Sequence, residues 1–167
     1  MSYGMNLTIL GNQGPYPGPM GACSGYLVKC GNTRVCVELG PGTLARLQTH
    51  VDLTSLDGLI ISHYHPDHFS DILTLRYALA KARRAGTLTS TLRLVLPATG
   101  MDEFIDTYIG PDCPQLFDIV PVADGSGIDI GDVAFMFYKM KHAVESFGMT
   151  LRPRGSSGRS ALGYTSD

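Results

Sequence analysis

The chain has 167 residues, 44% of them hydrophobic and 17% charged, with 20 Gly, 10 Pro and no Trp, the profile of one soluble globular domain long enough to bury a core. Its 13 basic side chains stand against 15 acidic ones, a formal charge of -2, so a long nucleic acid is not the expected partner. Apolar runs such as 56–61 and 133–140 stop well short of the ~20 residues of a membrane helix, and the first residues lack the basic and apolar regions of a secretory signal; no membrane partner and a cytoplasmic location are expected.

In chain order, Asn6 to Leu10 predicts a short strand, and the Gly- and Pro-rich stretch from Gly11 to Gly25 a loop. Tyr26 to Lys29 and Arg34 to Leu39 predict a hairpin around a Gly-Asn turn, ended by Gly40-Pro41-Gly42. Leu44, Leu47 and Val51 keep helical spacing, with Thr43 as the expected N-cap. Gly58 to Ile61 is a continuous apolar run that suits a strand buried on both faces. Ile72, Leu75, Leu79 and Ala82 line one side of an amphipathic helix that stops at Gly86. A strand over Arg93 to Leu96 and a helix over about Met101 to Ile109 complete an α/β alternation.

The remainder changes character. Phe117 to Val120, Ile128 to Ile130, Val133 to Lys141, Phe147 to Arg152 and Ser160 to Thr165 read as strands of one meander. Such an order predicts a sheet with helices on one side and a second sheet on the other. Cys23, Cys30, Cys36 and Cys113 form no CxxC pair and no dense framework, so they are expected to be reduced. Cys30 and Cys36 flank a turn and could face each other across the hairpin; the expectation is two half-buried thiols.

The chemistry concentrates after the buried strand, where His63, His65, Asp67 and His68 fall within six residues. Side chains two apart on an extended segment share a face, so His63 and His65 can bind one cation together, while the turn at Pro66 redirects Asp67 and His68. Two adjacent metal positions follow, of a kind that suits zinc and that can clamp a substrate around a bridging hydroxide. A hydrolase is expected. His50 has no such company and is set aside as an ordinary polar residue.

Ser62-His63-Tyr64-His65-Pro66-Asp67-His68 resembles the HxHxDH motif of the metallo-β-lactamase superfamily. The early Gly-rich loop, Glu38-Leu39-Gly40-Pro41-Gly42, His142 after a long strand, and Gly163-Tyr164-Thr165-Ser166-Asp167 extend the resemblance over the chain, and His142-Ala143-Val144-Glu145-Ser146-Phe147-Gly148 is similar to the ribonuclease Z and phosphodiesterase branch. The resemblance implies an α/β (α+β) fold, the αββα sandwich. It also implies two divalent ions, zinc first with manganese or iron as alternatives. His63, His65 and His142 would hold one, Asp67 and His68 the other, and Asp167 would bridge them. Asp67 would orient or deprotonate the attacking water in a dinuclear centre. Glu38 stands where the family commonly has Asp, at a supporting position.

The family continues beyond the equivalent of Asp167 to a final His, so the chain is expected to be an N-terminal piece, residues 1–167, of one longer domain. Alone it is expected to expose an apolar face that favours homo-oligomers, to hold fewer than two tight ions and to need the rest for full activity. The expected substrate is a small nucleotide or an RNA-type phosphodiester. A turn with Arg152, Arg154, Arg159, Ser156 and Ser157 offers phosphate donors, and Tyr16 a stacking surface. Alternatives are an acyl, thioester or lactone hydrolase on the same centre, and a non-catalytic metal-binding or assembly module.

Overall fold

The computed structural model describes residues 4–111, 113–156 and 162–167. Alternation along the strands sets the layers. A six-stranded sheet runs in the order β1 (Met5–Gly11), β2 (Gly25–Cys30), β3 (Thr33–Val37), β4 (Gly58–Ile60), β5 (Leu92–Pro97), β6 (Phe117–Val122). β1, β2 and β3 pair antiparallel, and β3 to β6 are parallel. Leu27, Cys36, Leu59, Leu94 and Leu96 point to the helical side, where Leu75 and Leu79 of α3 (Ile72–Arg84) pack. Their chain neighbours Val28, Val35, Val37, Ile60 and Val95 point the other way, against a second sheet. The unbroken apolar run at β4 is the signature of a strand covered on both faces.

The second sheet is an antiparallel meander in the order β10 (Leu162–Tyr164), β9 (Ser146–Pro153), β8 (Val133–Met140), β7 (Gly127–Ile130). Val133, Phe135 and Phe137 of β8 face the first sheet, and Met136 and Tyr138 face outward and are exposed. Among the described residues, no helix is long and apolar enough to cross a membrane.

Four expectations are corrected. β6 does not open the meander: it joins the first sheet parallel to β5, in register from Leu92 opposite Phe117 to Pro97 opposite Val122. Segment 98–116 is the long crossover such a partner requires. It contains α4 (Met101–Phe104), which runs directly into one π-helical stretch, Ile105–Ile109, followed by α5 (Cys113–Leu116). Thr43 is not the N-cap of α1 (Thr43–Leu47). Gly42 is, at φ 88°, and the carboxylate of Asp71 accepts from Leu44 N–H at 2.8 Å instead. Cys30 and Cys36 do not oppose each other: Cys30 pairs with Thr33 and Cys36 with Leu27, on opposite faces of the sheet. Both are fully buried rather than half-buried, and all four cysteines are free.

Candidate metal centre

β4 delivers the chain to the C-terminal ends of the parallel strands, the ordinary place for a site in such a sheet. His63 is fully buried there, and its Nε2 lies 3.1 Å from His65 Nδ1. His65 holds extended backbone as the N-cap of α2 (Pro66–Phe69), with Pro66 in the first helical position. That single turn carries Asp67 and His68 round to the other side of His63. From the second sheet, the β8–β9 connection brings His142 Nε2 to 3.1 Å from His65 Nδ1. Ligand atoms of His63, His65 and His142 thus lie within 4.8 Å of one another, and so do those of His63, His68 and Asp167.

All six residues singled out in the sequence lie close together: His63, His65 and His142 group as expected, while His68 groups with His63 and Asp167, and Asp67 lies beside His68. His63 takes part in both groups, its ring centroid 4.2 Å from that of His68. His68 Nε2 lies 3.4 Å from Asp167 Oδ2 and 3.7 Å from Asp67 Oδ2. His50 is exposed and lies outside both groups.

Glu38 supports the centre from beneath. It is fully buried with φ 62°, and its carboxylate accepts from Ser62 N–H at 3.1 Å. Its Oε2 is 3.6 Å from His68 Nδ1, a buried nitrogen that finds no hydrogen-bond partner among the described residues. Burial raises the Glu38 pKa, partly offset by His68 and Ser62. Burial by itself lowers His68, but Glu38, Asp167 and Asp67 outweigh it and hold the imidazole above its ordinary value. Burial also acts on His63, reinforced by His68 and His65, and brings its pKa down to about 3. A neutral imidazole is the form a metal requires.

Two close approaches shape the walls. A Cβ at Gly40 would meet the Asp67 carbonyl oxygen at 1.9 Å, and one at Gly14 would meet Asp67 Oδ2 at 3.0 Å. The Gly-rich loop therefore abuts the Asp67 carboxylate, and Tyr16, two residues beyond Gly14, is 74% exposed. Arg152 and Arg154 do not border the centre. Arg152 pairs with Ala134 near the start of β8, about 20 Å along the strand from the His142 end at ~3.3 Å per residue. Arg154 is engaged with Asp129 Oδ2 at 3.1 Å and the Gly131 carbonyl. Ser157 and Arg159 lie outside the described residues.

Sequence reasoning missed Ser146 and Ser166, whose hydroxyls lie 3.0 Å apart beside His63. The one available signal was their place in sequence, four residues after His142 and one before Asp167. Four imidazoles and two carboxylates gathered in two adjoining groups form a nitrogen and oxygen donor set that fits divalent ions such as zinc, iron or manganese.

The family described as "Beta-lactamase superfamily domain" matches residues 33–167. The chain is 27% identical over 163 residues to "Probable metallo-hydrolase YhfI" of Bacillus subtilis, covering 98% of this chain and 64% of that protein. The crystal structure of the metallo-beta-lactamase fold protein YhfI superposes with a TM-score of 0.87 at 26% identity, over 98% of this chain and 63% of that one. A ribonuclease Z of Methanopyrus kandleri is 25% identical over 141 residues, 83% of this chain and 47% of the relative. Human tRNase Z, short form, shares the fold with a TM-score of 0.67 at 20% identity, over 89% of this chain and 65% of that chain. The chain thus spans less than two thirds of the length of these relatives.

Proposed function

Because the chain belongs to the beta-lactamase superfamily, we propose that its histidine centre holds two divalent ions, zinc first, and hydrolyses the phosphodiester of a small nucleotide in the cytoplasm. The observation that carries this reading is the pair of ligand groups sharing His63, each within 4.8 Å. On this reading His63, His65 and His142 would hold one ion, Asp67 and His68 the other, and Asp167 would serve both. Divalent ions supply water ionised near neutral pH and neutralise charge on phosphoryl oxygens. The residues supply the rest. Asp67, partly exposed and set against the Gly14 loop, orients the attacking water and takes its proton. Glu38 holds the backbone of Ser62, and through it the root of the motif. Likeness to a ribonuclease Z supports phosphodiester chemistry, and the near-neutral charge supports a small substrate over a long nucleic acid.

The test compares zinc- or manganese-loaded chain on bis(p-nitrophenyl) phosphate, a lactone and a thioester. Turnover of the phosphodiester, lost in Asp67→Asn and His65→Ala, is the expected result. Preference for the lactone or thioester would move the assignment to acyl hydrolysis, and ion binding without turnover of any of the three by a full-length protein would make it a metal-binding module.

A further inference from the structure

Three serine hydroxyls from three separate segments meet behind His63. Ser62 Oγ lies 2.9 Å from His63 Nδ1 and 2.8 Å from Ser166 Oγ. Ser166 Oγ lies 3.0 Å from Ser146 Oγ and 3.4 Å from His63 Nδ1. Ser62 and Ser146 are 1% and 0% exposed, so bulk water does not replace these partners. Ser62 follows β4, Ser146 opens β9 and Ser166 follows β10.

The backbone at Ser166 is what lets two consecutive residues reach one centre. On an extended strand, neighbouring side chains point to opposite faces. Ser166 adopts φ 57°, which breaks that alternation. Its hydroxyl reaches Ser62 while the Asp167 carboxylate reaches His68. Glycine adopts this conformation freely and serine does not. Backbone geometry alone would favour glycine at 166, and what serine adds is the hydroxyl.

Proton counting assigns that hydroxyl a task. An imidazole that offers Nε2 to a cation carries its ring proton on Nδ1, where it needs an acceptor. Ser62 Oγ is that acceptor only if its own single proton points elsewhere, and Ser166 Oγ is there to take it. Without Ser166, the Ser62 proton turns to Nδ1, and the ring proton moves to Nε2, where it competes with an ion. We propose that Ser62, Ser166 and Ser146 form a positioning device that keeps His63 in the Nδ1-protonated tautomer. Docking of residues 162–167, which supplies Ser166, then conditions tight binding at His63, His65 and His142. This inference rests on the reading of His63 as a metal ligand.

The experiment uses the 167-residue chain with Co²⁺ as probe. Affinity is read by visible absorption under chelator competition, and the His63 tautomer by ¹⁵N NMR of the ion-free chain. Ser166→Gly relieves the backbone and removes the hydroxyl, so a merely structural role predicts equal or greater stability and unchanged binding. The expected result is an unchanged unfolding midpoint, an affinity about 10- to 100-fold weaker, and a His63 shifted toward the Nε2-protonated form. Ser146→Ala should move both readouts the same way by less, and it carries the comparison alone if Ser166→Gly does not fold. Unchanged affinity and tautomer in the variants would overturn the inference while the metal reading stands. Wild-type chain that binds no Co²⁺ would remove both.

Discussion

His63 links stability to pH through one buried ring. In the ion-free folded chain it stays neutral down to about 3, whereas an unperturbed imidazole takes up its proton near 6.5. Between those values the unfolded state binds more protons, so stability falls as pH falls, by at most about 1.4 kcal/mol per pH unit for one group. Glu38, held above its ordinary value, acts in the opposite sense over part of the range, so the comparison must isolate His63. Chelator-treated wild type should therefore lose about 1 kcal/mol more per pH unit than His63→Gln between pH 6 and 4, measured by urea unfolding. Equal slopes would mean that the ring is not held neutral. At this scale His63, His65, Asp67 and His68 were legible because imidazoles and carboxylates this dense stand out from the background, whereas His142 and Asp167 stand alone in the sequence and rested on the family resemblance. The hydroxyls of Ser146 and Ser166 were not, because serine is common at strand ends and its role depends on a contact across 20 positions.

Among the elements, α2 decides where Asp67 and His68 point, and its seat is set by glycine. A methyl at Gly40 would fall 1.9 Å from the Asp67 carbonyl oxygen and 2.7 Å from Cys23 Cβ, with backbone on one side and a buried side chain on the other. Gly40→Ala should cost about 1–3 kcal/mol by overpacking and weaken metal affinity by displacing α2. Gly86→Ala is the control. Its φ of +73° carries a conformational cost, but the methyl meets nothing within 4 Å, so stability should fall by about 1 kcal/mol with affinity unchanged. Unfolding and Co²⁺ titration of the two variants separate these outcomes. α3 was readable because its apolar positions repeat at helical spacing, and β3, β4 and β5 because short, nearly continuous apolar runs mark strands buried on both faces. α2 spans only four residues, Pro66–Phe69, too few to show a period, so it read as a turn. Strand β6 was recognised as a strand but assigned to the wrong sheet. Alternation reports a buried face and says nothing about which neighbour supplies the hydrogen bonds.

For the whole molecule, the centre is where two sheets meet. His63, His65, Asp67 and His68 follow β4 of the first, while His142 comes from the β8–β9 connection of the second and Asp167 follows its strand β10. The layers also leave one face open. Leu7 pairs with the buried Val28 and Ile9 with Tyr26, both on the side facing the second sheet, yet Leu7 and Ile9 are 46% and 62% exposed. Replacing both by Thr keeps strand propensity and should change stability by less than about 1 kcal/mol, while reducing any self-association seen by sedimentation; association that persists unchanged would clear this face. The metal should act on the other side of the balance. An ion held by His63 and His65 from one sheet and by His142 from the other binds the folded chain and not the unfolded one, so it stabilises by about 2.7 kcal/mol at a free concentration 100 times Kd. In a chain of this size that is roughly 5–10 °C in Tm. His142 is partly exposed and lies outside both apolar cores, so His142→Ala should leave the chelated Tm within about 2 °C and remove most of the rise on adding Zn²⁺. A full rise in that variant would show that the ion is held by the first sheet alone, and the two-sheet centre would then have to be abandoned.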